Sequence, residues 1–340
     1  MPSQGAHAIR AGAIVLGATL VLLLVWVAHV HAASQVPSVP STAPSTTTTS
    51  QTAASRIRNP ASLSQVEQVV AASVKVHRLN AHTSHELSII RYQNADALDS
   101  IPLDCSSATH GCVFGDTRSD VVAVLFGDSH ARMWLPAIIP IAAADHLKLI
   151  VIGMDGCPLV APRISWKFGG CASVIENDIK VIDGIKPAAI VMSDRTSYAG
   201  VTTAEWQAGL TETMDSLRPS GARFATIGDI QVFNSGYVSD LLDCLVFHPS
   251  AVQHCAVPNP NGAAPGHEQA EERATSLARD LYINPNPWLC TRRTCSPIIG
   301  GNIVYWDAFH VSVNYAVYLS GVMGSALSKF LRAASLDKRT

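Results

Sequence analysis

The sequence predicts an α/β fold with a mainly parallel sheet. Short, nearly continuous apolar runs alternate with stretches of helical periodicity, which is typical of parallel strands covered by helices on both faces. The predicted strands span residues 121–126, 147–152, 188–192, 223–227 and 302–306. The predicted helices span residues 62–79, 131–144, 173–185, 203–217, 267–281 and 313–331. Active sites of such sheets lie outside the carboxyl ends of the strands, so we expect the chemistry at that edge.

Residues 1–32 form a segment that predicts export. Residues 11–28 are uncharged and rich in Leu, Val and Ala. About 18 such residues at ~1.5 Å each are long enough to span a bilayer, and Arg10 predicts an orientation with the N-terminus inside. The small residues of VHAAS, 30–34, also fit a cleavage site, so a signal anchor and a cleaved signal peptide both stay open. Either segment places the rest of the chain outside the cytoplasm.

Beyond this segment the composition changes twice. Residues 33–56 are rich in Ser, Thr and Pro and almost free of large apolar side chains, which predicts an extended linker. Residues 57–104 predict a helical and loop extension without visible chemistry, and residues 105–335 predict one large domain. Residues 80–112 are expected to be mostly loop. A net charge of −2 and a pI near 6.7 argue against nucleic acid as a partner.

All eight cysteines follow the linker. In an exported domain an even number of cysteines indicates disulfides. The loops between predicted elements can close neighbouring cysteines into four pairs, namely Cys105–Cys112, Cys157–Cys171, Cys244–Cys255 and Cys290–Cys295. A zinc site is the alternative, although its spacing is irregular and the compartment oxidising. Its ligands would be Cys244, His248, His254, Cys255 and the cysteines of CTRRTC.

The segment VLFGDSH, 124–130, places a serine just past the first predicted strand. Gly127 permits a close approach of the backbone, and a serine at a helix start has free N–H groups around it. Ser129 is therefore a candidate nucleophile. The alternative is that Asp128 or Ser129 only caps the following helix, as such residues often do.

A second polar motif follows the last predicted strand. Asp307 and His310 are three residues apart, so in a turn they share a face. Asp307 can then hold Nδ1–H of His310 and leave Nε2 free as a general base. Because both motifs follow strands at their carboxyl ends, they can converge as a Ser/His/Asp constellation requires. The sequence predicts Ser129, His310 and Asp307 as catalytic residues, with no metal and no organic cofactor.

Four segments carry a resemblance to a known family. They are FGDSHA at 126–131, GCP at 156–158, WLCTRRTCSPIIGGNIVYWD at 288–307 and DAFHVS at 307–312. Together they resemble the SGNH hydrolase-like domain at the extracytoplasmic end of bacterial acyltransferase type 3 membrane proteins, over about residues 104–331. The resemblance implies a flavodoxin-like three-layer sandwich with a five-stranded sheet and ester chemistry on cell-envelope glycans. It also implies Ser129 as nucleophile, His310 as base and Asp307 as its orienting partner.

The same resemblance implies an oxyanion hole, the group of N–H donors that stabilises the charged intermediate. Family members take these donors from the serine N–H, a glycine after the second strand and an asparagine after the third. Ser129 and Gly156 fit the first two positions, but VMSDRTSY at 191–198 has no asparagine, leaving Ser193 or Arg195 as substitutes. Each missing donor can cost about 10²- to 10³-fold in rate. A non-catalytic carbohydrate- or partner-binding module therefore stays an alternative.

Several other residues have a functional and a structural interpretation. His130 can line the site or serve packing. Asp194 and Arg195 end a strand at the same edge, where an exposed ion pair is the structural alternative, and Asp229 can shape the cleft or a turn. Tryptophans that can stack on sugars or pack in the core are Trp134, Trp288 and Trp306. Histidines predicted at the surface are His248, His254 and His267.

The predicted function is extracytoplasmic acyl transfer through an acyl-serine intermediate. Water as acceptor makes the protein an esterase, and a sugar hydroxyl makes it an O-acyltransferase, such as an O-acetyltransferase. The predicted partners are an envelope glycan or acylated glycan and a separate integral-membrane acyltransferase. The N-terminal segment predicts attachment to the membrane, with secretion after cleavage as the alternative.

Overall fold

The computed structural model describes residues 58–93, 112–231, 241–259, 266–278 and 280–339. In these stretches no helix is both long and apolar enough to cross a membrane. The predicted signal segment at 1–32 and the predicted linker at 33–56 lie outside the described residues. Those two assignments, and the boundaries of the extension and the domain, remain predictions.

A mainly parallel sheet forms the centre of the described chain. The strands are β1 (Val113–Gly115), β2 (Val122–Gly127), β3 (Lys148–Ile152), β4 (Ala189–Ser193), β5 (Arg223–Ile227), β6 (Val257–Pro258), β7 (Leu281–Ile283), β8 (Thr294–Cys295), β9 (Ile298–Ile299) and β10 (Asn302–Ile303). The central sheet has the order β1-β3-β2-β4-β5-β7. Only its edge strand β1 is antiparallel to its neighbour. The pairs β6–β8 and β9–β10 are small antiparallel sheets.

Strand β2 lies at the point where the order of the sheet reverses. The chain passes from β2 to β3 on one side and then crosses to β4 on the other. Five of the six residues of β2 are buried, as expected for a parallel strand covered on both faces. In open α/β sheets the crevice outside such a strand is where ligands bind. The fold thus directs attention to the residues that follow Gly127.

Helices cover both faces of the sheet. They are α1 (Leu63–Ser73), α2 (Ala81–Gln93), α3 (Ser129–Arg132), α4 (Leu135–Ala144), α5 (Ser165–Ile185), α6 (Thr203–Leu217), α7 (Leu241–Phe247), α8 (Gly266–Leu277), α9 (Asn286–Leu289), α10 (Val313–Tyr318) and α11 (Ser320–Arg339). Alternate residues of β2 belong to two different hydrophobic clusters. Ala123 and Leu125 pack with α1, α4, α10 and α11, whereas Val124 and Phe126 pack with α5, α6 and α8. The three-layer α/β class is confirmed.

The fifth parallel strand differs from the prediction. Residues 302–306 were expected in the central sheet, but only Asn302–Ile303 is a strand, and it pairs with β9 in a hairpin. The central position belongs to β7, which pairs with β5. Because β7 is only three residues long and follows α8 closely, the predicted helix 267–281 ran into its first residue. Strand β1 adds a sixth member that the sequence pattern did not reveal.

Two predicted helices and one predicted loop also differ. Residues 131–144 and 313–331 each form two helices, broken at Met133–Trp134 and at Leu319. Residues 80–112 were expected to be mostly loop but contain α2, whose start is capped by Asn80: its Oδ1 accepts from Thr83 N at 2.9 Å. The helix carries two histidines, a threonine and two serines, and these weak helix formers hid it from the pattern.

Disulfides close three loops of the described chain. They join Cys157 to Cys171, Cys244 to Cys255 and Cys290 to Cys295, which are three of the predicted pairs. Cys105 lies outside the described residues, so its pairing with Cys112 stays a prediction. The zinc alternative was wrong, because the cysteines it requires as thiolates are oxidised to disulfides.

Candidate active site

The candidate site begins where β2 ends. Asp128 is the N-cap of α3, and its Oδ1 accepts from His130 N at 2.8 Å. The cap therefore falls to Asp128, which leaves the side chain of Ser129 outside the capping role. Gly127 brings this turn against β4, since a Cβ there would overlap the carbonyl oxygen of Ser193. The backbone of Ser129 is thus held at the carboxyl edge of the sheet.

Ser129, His310 and Asp307 form one hydrogen-bonded series. The distance between Ser129 Oγ and His310 Nε2 is 2.8 Å, and the distance between His310 Nδ1 and Asp307 Oδ2 is 2.7 Å. The contact with Asp307 fixes the tautomer in which Nδ1 carries the proton and Nε2 accepts from the serine hydroxyl. This is the geometry in which a histidine can take the proton of a serine nucleophile.

A tight loop holds the histidine and the aspartate. Tyr305 and Val311 pair across its base, and Asp307 Oδ1 accepts from the N–H groups of Phe309 and His310 at 2.7 Å each. Burial alone would raise the pKa of Asp307, but the hydrogen bond from His310 and these N–H groups hold that pKa below its ordinary value. Asp307 is therefore a carboxylate at neutral pH, as its orienting role requires.

Trp306 supports the histidine from the side. Its ring stacks on the ring of His310 with centroids 5.3 Å apart and an interplanar angle of 23°. Trp134 and Trp288 are buried and pack edge to face against each other. These two tryptophans therefore have the packing role, and Trp306 positions His310 through the stack.

The turn after β3 carries the predicted second oxyanion donor, Gly156. This turn is tied to the helix of Ser129, because Arg132 Nη1 donates to Asp155 Oδ2 at 2.7 Å. Gly156 has a φ of +76°, is solvent-exposed, and would meet nothing with a Cβ. The Cys157–Cys171 disulfide anchors the same turn to α5. The turn is thus fixed on two sides beside α3.

Ser193, the third predicted donor, is buried, whereas Gly156 is exposed. It is the last residue of β4, opposite Gly127 in the sheet, and its buried hydroxyl has no hydrogen-bond partner among the described residues. Ser129 N–H and the exposed Gly156 are therefore better placed than Ser193 to meet a substrate. The oxyanion assignments stay predictions.

His130 and Asp229 form a buried pair that packs against His310. His130 is fully buried, and its Nδ1 lies 2.6 Å from Asp229 Oδ1. Its ring packs edge to face on His310 with centroids 5.1 Å apart. Burial lowers the pKa of His130, but the charge and hydrogen bond of Asp229 together with the charge of Asp128 raise it above its ordinary value. The charge and hydrogen bond of His130 in turn keep the pKa of Asp229 low against burial. The pair is a buried imidazolium and carboxylate, so both residues belong to the support of the site.

Asp194 and Arg195 do not form the ion pair that was one of their two interpretations. Asp194 is buried and accepts from Leu159 N at 2.7 Å, and burial, then the charge of Asp128, raises its pKa well above the ordinary value. Arg195 points elsewhere, with its guanidinium 3.9 Å from the ring centroid of Phe309. Asp194 thus organises the backbone while Arg195 faces the loop of His310.

Two of the remaining histidines match their predicted place, and one does not. His248 and His254 lie exposed next to each other. His267 is half-buried: its two ring nitrogens contact the carbonyl oxygens of Thr196 and Val201 at 2.7 and 2.9 Å. The sequence missed this role because the partners lie about 70 residues earlier in the chain. Among the described residues, no group of His, Cys, Asp and Glu is arranged to hold a metal ion.

A serine, histidine and aspartate in series at the carboxyl edge of a three-layer α/β sheet are the arrangement of SGNH-type hydrolases and acyltransferases. The chain belongs to that family. Residues 91–324 match the SGNH domain that is fused to AT3 domains. The resemblance noted in the sequence is confirmed, and it places the chain in a family of acyl transfer and acyl hydrolysis.

Two solved structures are similar to the chain. The periplasmic domain of a lipopolysaccharide acetyltransferase from Salmonella serovar Paratyphi A is 14% identical with a TM-score of 0.47, covering 62% of this chain and 84% of that one. A provisionally assigned acylhydrolase from Bacteroides fragilis is 10% identical with a TM-score of 0.40, covering 72% of this chain and 98% of that one. No curated protein matches the sequence. The family assignment rests on the match over residues 91–324.

Proposed function

We propose that this protein is an extracytoplasmic serine acyl-transfer enzyme that acts on acyl groups of cell-envelope glycans. The observation that carries the proposal is the hydrogen-bonded series from Ser129 Oγ through His310 to Asp307, with contacts of 2.8 and 2.7 Å. Three disulfides support an oxidising compartment. A membrane anchor at residues 1–32 and a separate membrane acyltransferase as acyl supplier are parts of the same proposal.

The first half-reaction forms an ester on the protein. Ser129 Oγ attacks the carbonyl carbon of the substrate ester while His310 Nε2 takes the serine proton. The new C–O bond turns the carbonyl oxygen into an oxyanion, which Ser129 N–H and Gly156 N–H stabilise, with Ser193 as the weaker third candidate. The bond to the leaving alcohol then breaks, and the alcohol takes the proton from His310. Acyl-Ser129 remains.

The second half-reaction runs the same steps in reverse with a new acceptor. His310 removes a proton from the acceptor hydroxyl, the acceptor attacks the acyl-serine, and Ser129 recovers its proton when the C–O bond breaks. Water as acceptor gives hydrolysis, and a sugar hydroxyl gives O-acyl transfer, for instance O-acetylation. Throughout, the Asp307 carboxylate stabilises the imidazolium that forms in each step.

Ester turnover by the full-length protein tests the proposal. We expect p-nitrophenyl acetate hydrolysis and fluorophosphonate labelling of wild type, no labelling of Ser129→Ala, and a loss of turnover of at least about 10³-fold in Ser129→Ala and His310→Ala. Asp307→Asn should lose about 10²- to 10⁴-fold, because an amide cannot stabilise the imidazolium. Ser216→Ala is the matched control, since Ser216 is exposed on α6 and bonds to Glu212 O.

Turnover that does not depend on Ser129 would contradict the proposal. If circular dichroism shows every variant folded and turnover does not depend on Ser129, the acyl-serine mechanism is wrong. The protein would then be the carbohydrate- or partner-binding module that was the alternative. Binding of envelope polysaccharide without turnover would identify that module directly.

A further inference from the structure

Arg195 lies beside the candidate catalytic residues without belonging to their hydrogen-bonded series. Its backbone N–H donates to both carboxylate oxygens of Asp128 at 3.2 Å, one residue before Ser129. Its guanidinium lies 3.9 Å from the ring centroid of Phe309, one residue before His310. The side chain is half-buried. Arg195 therefore contacts the residue that precedes the nucleophile and the residue that precedes the base.

The loop that carries Arg195 is fixed by buried groups. Asp229 Oδ2 accepts from Thr196 N at 2.7 Å and from Thr196 Oγ1 at 2.9 Å. His267 contacts the carbonyl oxygens of Thr196 and Val201 and stacks on Trp206 at 5.1 Å. These contacts hold the backbone after position 195, and Asp194, just before it, accepts from Leu159 N at 2.7 Å. The direction of the arginine is therefore set before any substrate binds.

The guanidinium itself is only partly satisfied. Its Nε donates to Ser197 Oγ at 2.9 Å, and Tyr198 and Phe309 pack against it. Within the described chain, its two terminal nitrogens have no hydrogen bond and no carboxylate within ion-pair distance. Arg132 provides the contrast, because Asp155 neutralises it at 2.7 Å. The nearby carboxylate of Asp128 accepts from the backbone N–H of Arg195 at 3.2 Å.

We infer that Arg195 is the binding residue for a negatively charged group of the glycan substrate, close to the ester that Ser129 attacks. A pre-oriented guanidinium with two free terminal nitrogens fits a carboxylate or a phosphodiester in a bidentate manner. The substrate class is thus an O-acylated anionic glycan, carrying uronate or phosphodiester groups. This inference rests on the proposed function, since it places the anion relative to the reacting ester.

The test compares charged and neutral esters on full-length wild type and Arg195→Met. The probes are O-acetylated galacturonate oligosaccharides, the same oligosaccharides with their carboxyl groups converted to neutral methyl esters, O-acetylated glycerol phosphate oligomers and p-nitrophenyl acetate. Acetate release from one anionic probe should lose about 10- to 100-fold in kcat/KM, mainly through KM. The loss should be at least about tenfold greater than for the neutral probes, and Arg195→Lys should restore part of it. The affected probe identifies carboxylate or phosphodiester as the anion.

Arg218→Met is the matched control. Arg218 also stacks on an aromatic ring, that of Phe224 at 5.6 Å, but it precedes β5 and so lies toward the opposite ends of the strands. It should leave all four probes unchanged. An equal loss of kcat/KM for charged and neutral probes in Arg195→Met would overturn the inference. Arg195 would then be a donor to the oxyanion of the reacting ester. If no ester is turned over, the proposed function fails separately. Calorimetry then measures the binding of unacetylated galacturonate and glycerol phosphate oligomers to wild type and Arg195→Met. Binding of either oligomer that is lost in Arg195→Met supports the anion site, and binding that Arg195→Met leaves unchanged refutes it.

Discussion

At the scale of single residues, His130 shows how a neighbour of the nucleophile can be structural and still govern the site. It follows Ser129 in the chain, but its side chain turns inward to Asp229. Both members are at most 2% exposed, so the pair is stable only because each charge compensates the other. Asp229 also accepts from Thr196 and Ile230. One carboxylate therefore connects the turn after β2, the loop after β4 and the end of β5.

Asp229→Asn should destabilise the protein strongly. The substitution leaves His130 buried without its carboxylate, and loss of one partner of a buried pair costs about 3–5 kcal/mol. Urea unfolding followed by circular dichroism measures the change. Arg163→Gln, which removes the exposed bridge to Glu212, should cost less than about 1 kcal/mol. Equal effects of the two substitutions would show that His130 and Asp229 are not a charged pair.

The sequence predicted the central series at this scale but not its support. Ser129, His310 and Asp307 stand in short motifs at strand ends, so the rule for parallel sheets placed them together. The contacts of His130 with Asp229, and of His267 with Thr196, join residues 99 and 71 positions apart. No local pattern contains such pairs, and they could be found only once the strands were ordered.

At the scale of elements, the close approach of β2, β3 and β4 sets the position of the serine. A Cβ at Gly127 would overlap Ser193 O, and a Cβ at Gly153 would overlap Gly127 O. The three strands therefore approach one another at their carboxyl ends through two glycines. The sequence offered Gly127 as a residue for close approach, whereas the partner strand became known only from the sheet order.

Gly127→Ala should strongly destabilise the protein. The added methyl group has no space against the backbone of Ser193, and φ at this position is +151°, so we expect a loss of about 3 kcal/mol or more in the free energy of unfolding. Ester turnover should fall with it, because Ser129 moves. Gly184→Ala is the matched control: its Cβ would meet nothing in α5, and alanine should be neutral or stabilise by up to about 1 kcal/mol. A folded, active Gly127→Ala protein would contradict this account of the strand ends.

At the scale of the whole molecule, buried acids give the protein a pH dependence with two limbs. Burial raises the pKa values of Asp307 and Asp229, but the hydrogen bond from His310 holds that of Asp307 low, and the charge and hydrogen bond of His130 hold that of Asp229 low. Their contribution is present above the unfolded pKa and is lost as the pH falls through the folded value. Glu268 acts in the opposite direction, since burial and then the charge of Asp229 raise its pKa to about 8.

The free energy of unfolding should therefore decline as the pH rises from the ordinary pKa range of carboxyl groups toward pH 8. Between the ordinary glutamate pKa of 4.5 and the folded pKa of about 8, the folded state keeps the Glu268 proton that the unfolded chain has released. One such proton lowers the unfolding free energy by about 1.4 kcal/mol per pH unit. Glu268→Gln should make this limb less steep in urea unfolding from pH 5 to pH 8, while Asp194 and Glu271, whose pKa values burial also raises, keep contributing to it. Glu67→Gln, at an exposed position of α1, should not, and an unchanged slope in Glu268→Gln would refute the assignment.

The sequence by itself determined the α/β class, the location of the chemistry at strand ends, three neighbouring disulfides and the three residues of the hydrogen-bonded series. These features depend on local periodicity, short spacing and the shared direction of parallel strands, all of which are written in consecutive residues. The tertiary structure decided which strand is fifth, which acids are buried and where Arg195 points. Those features depend on packing between elements far apart in the chain: β7 reaches the sheet through its pairing with β5, and Arg195 is oriented by residues from four separate segments.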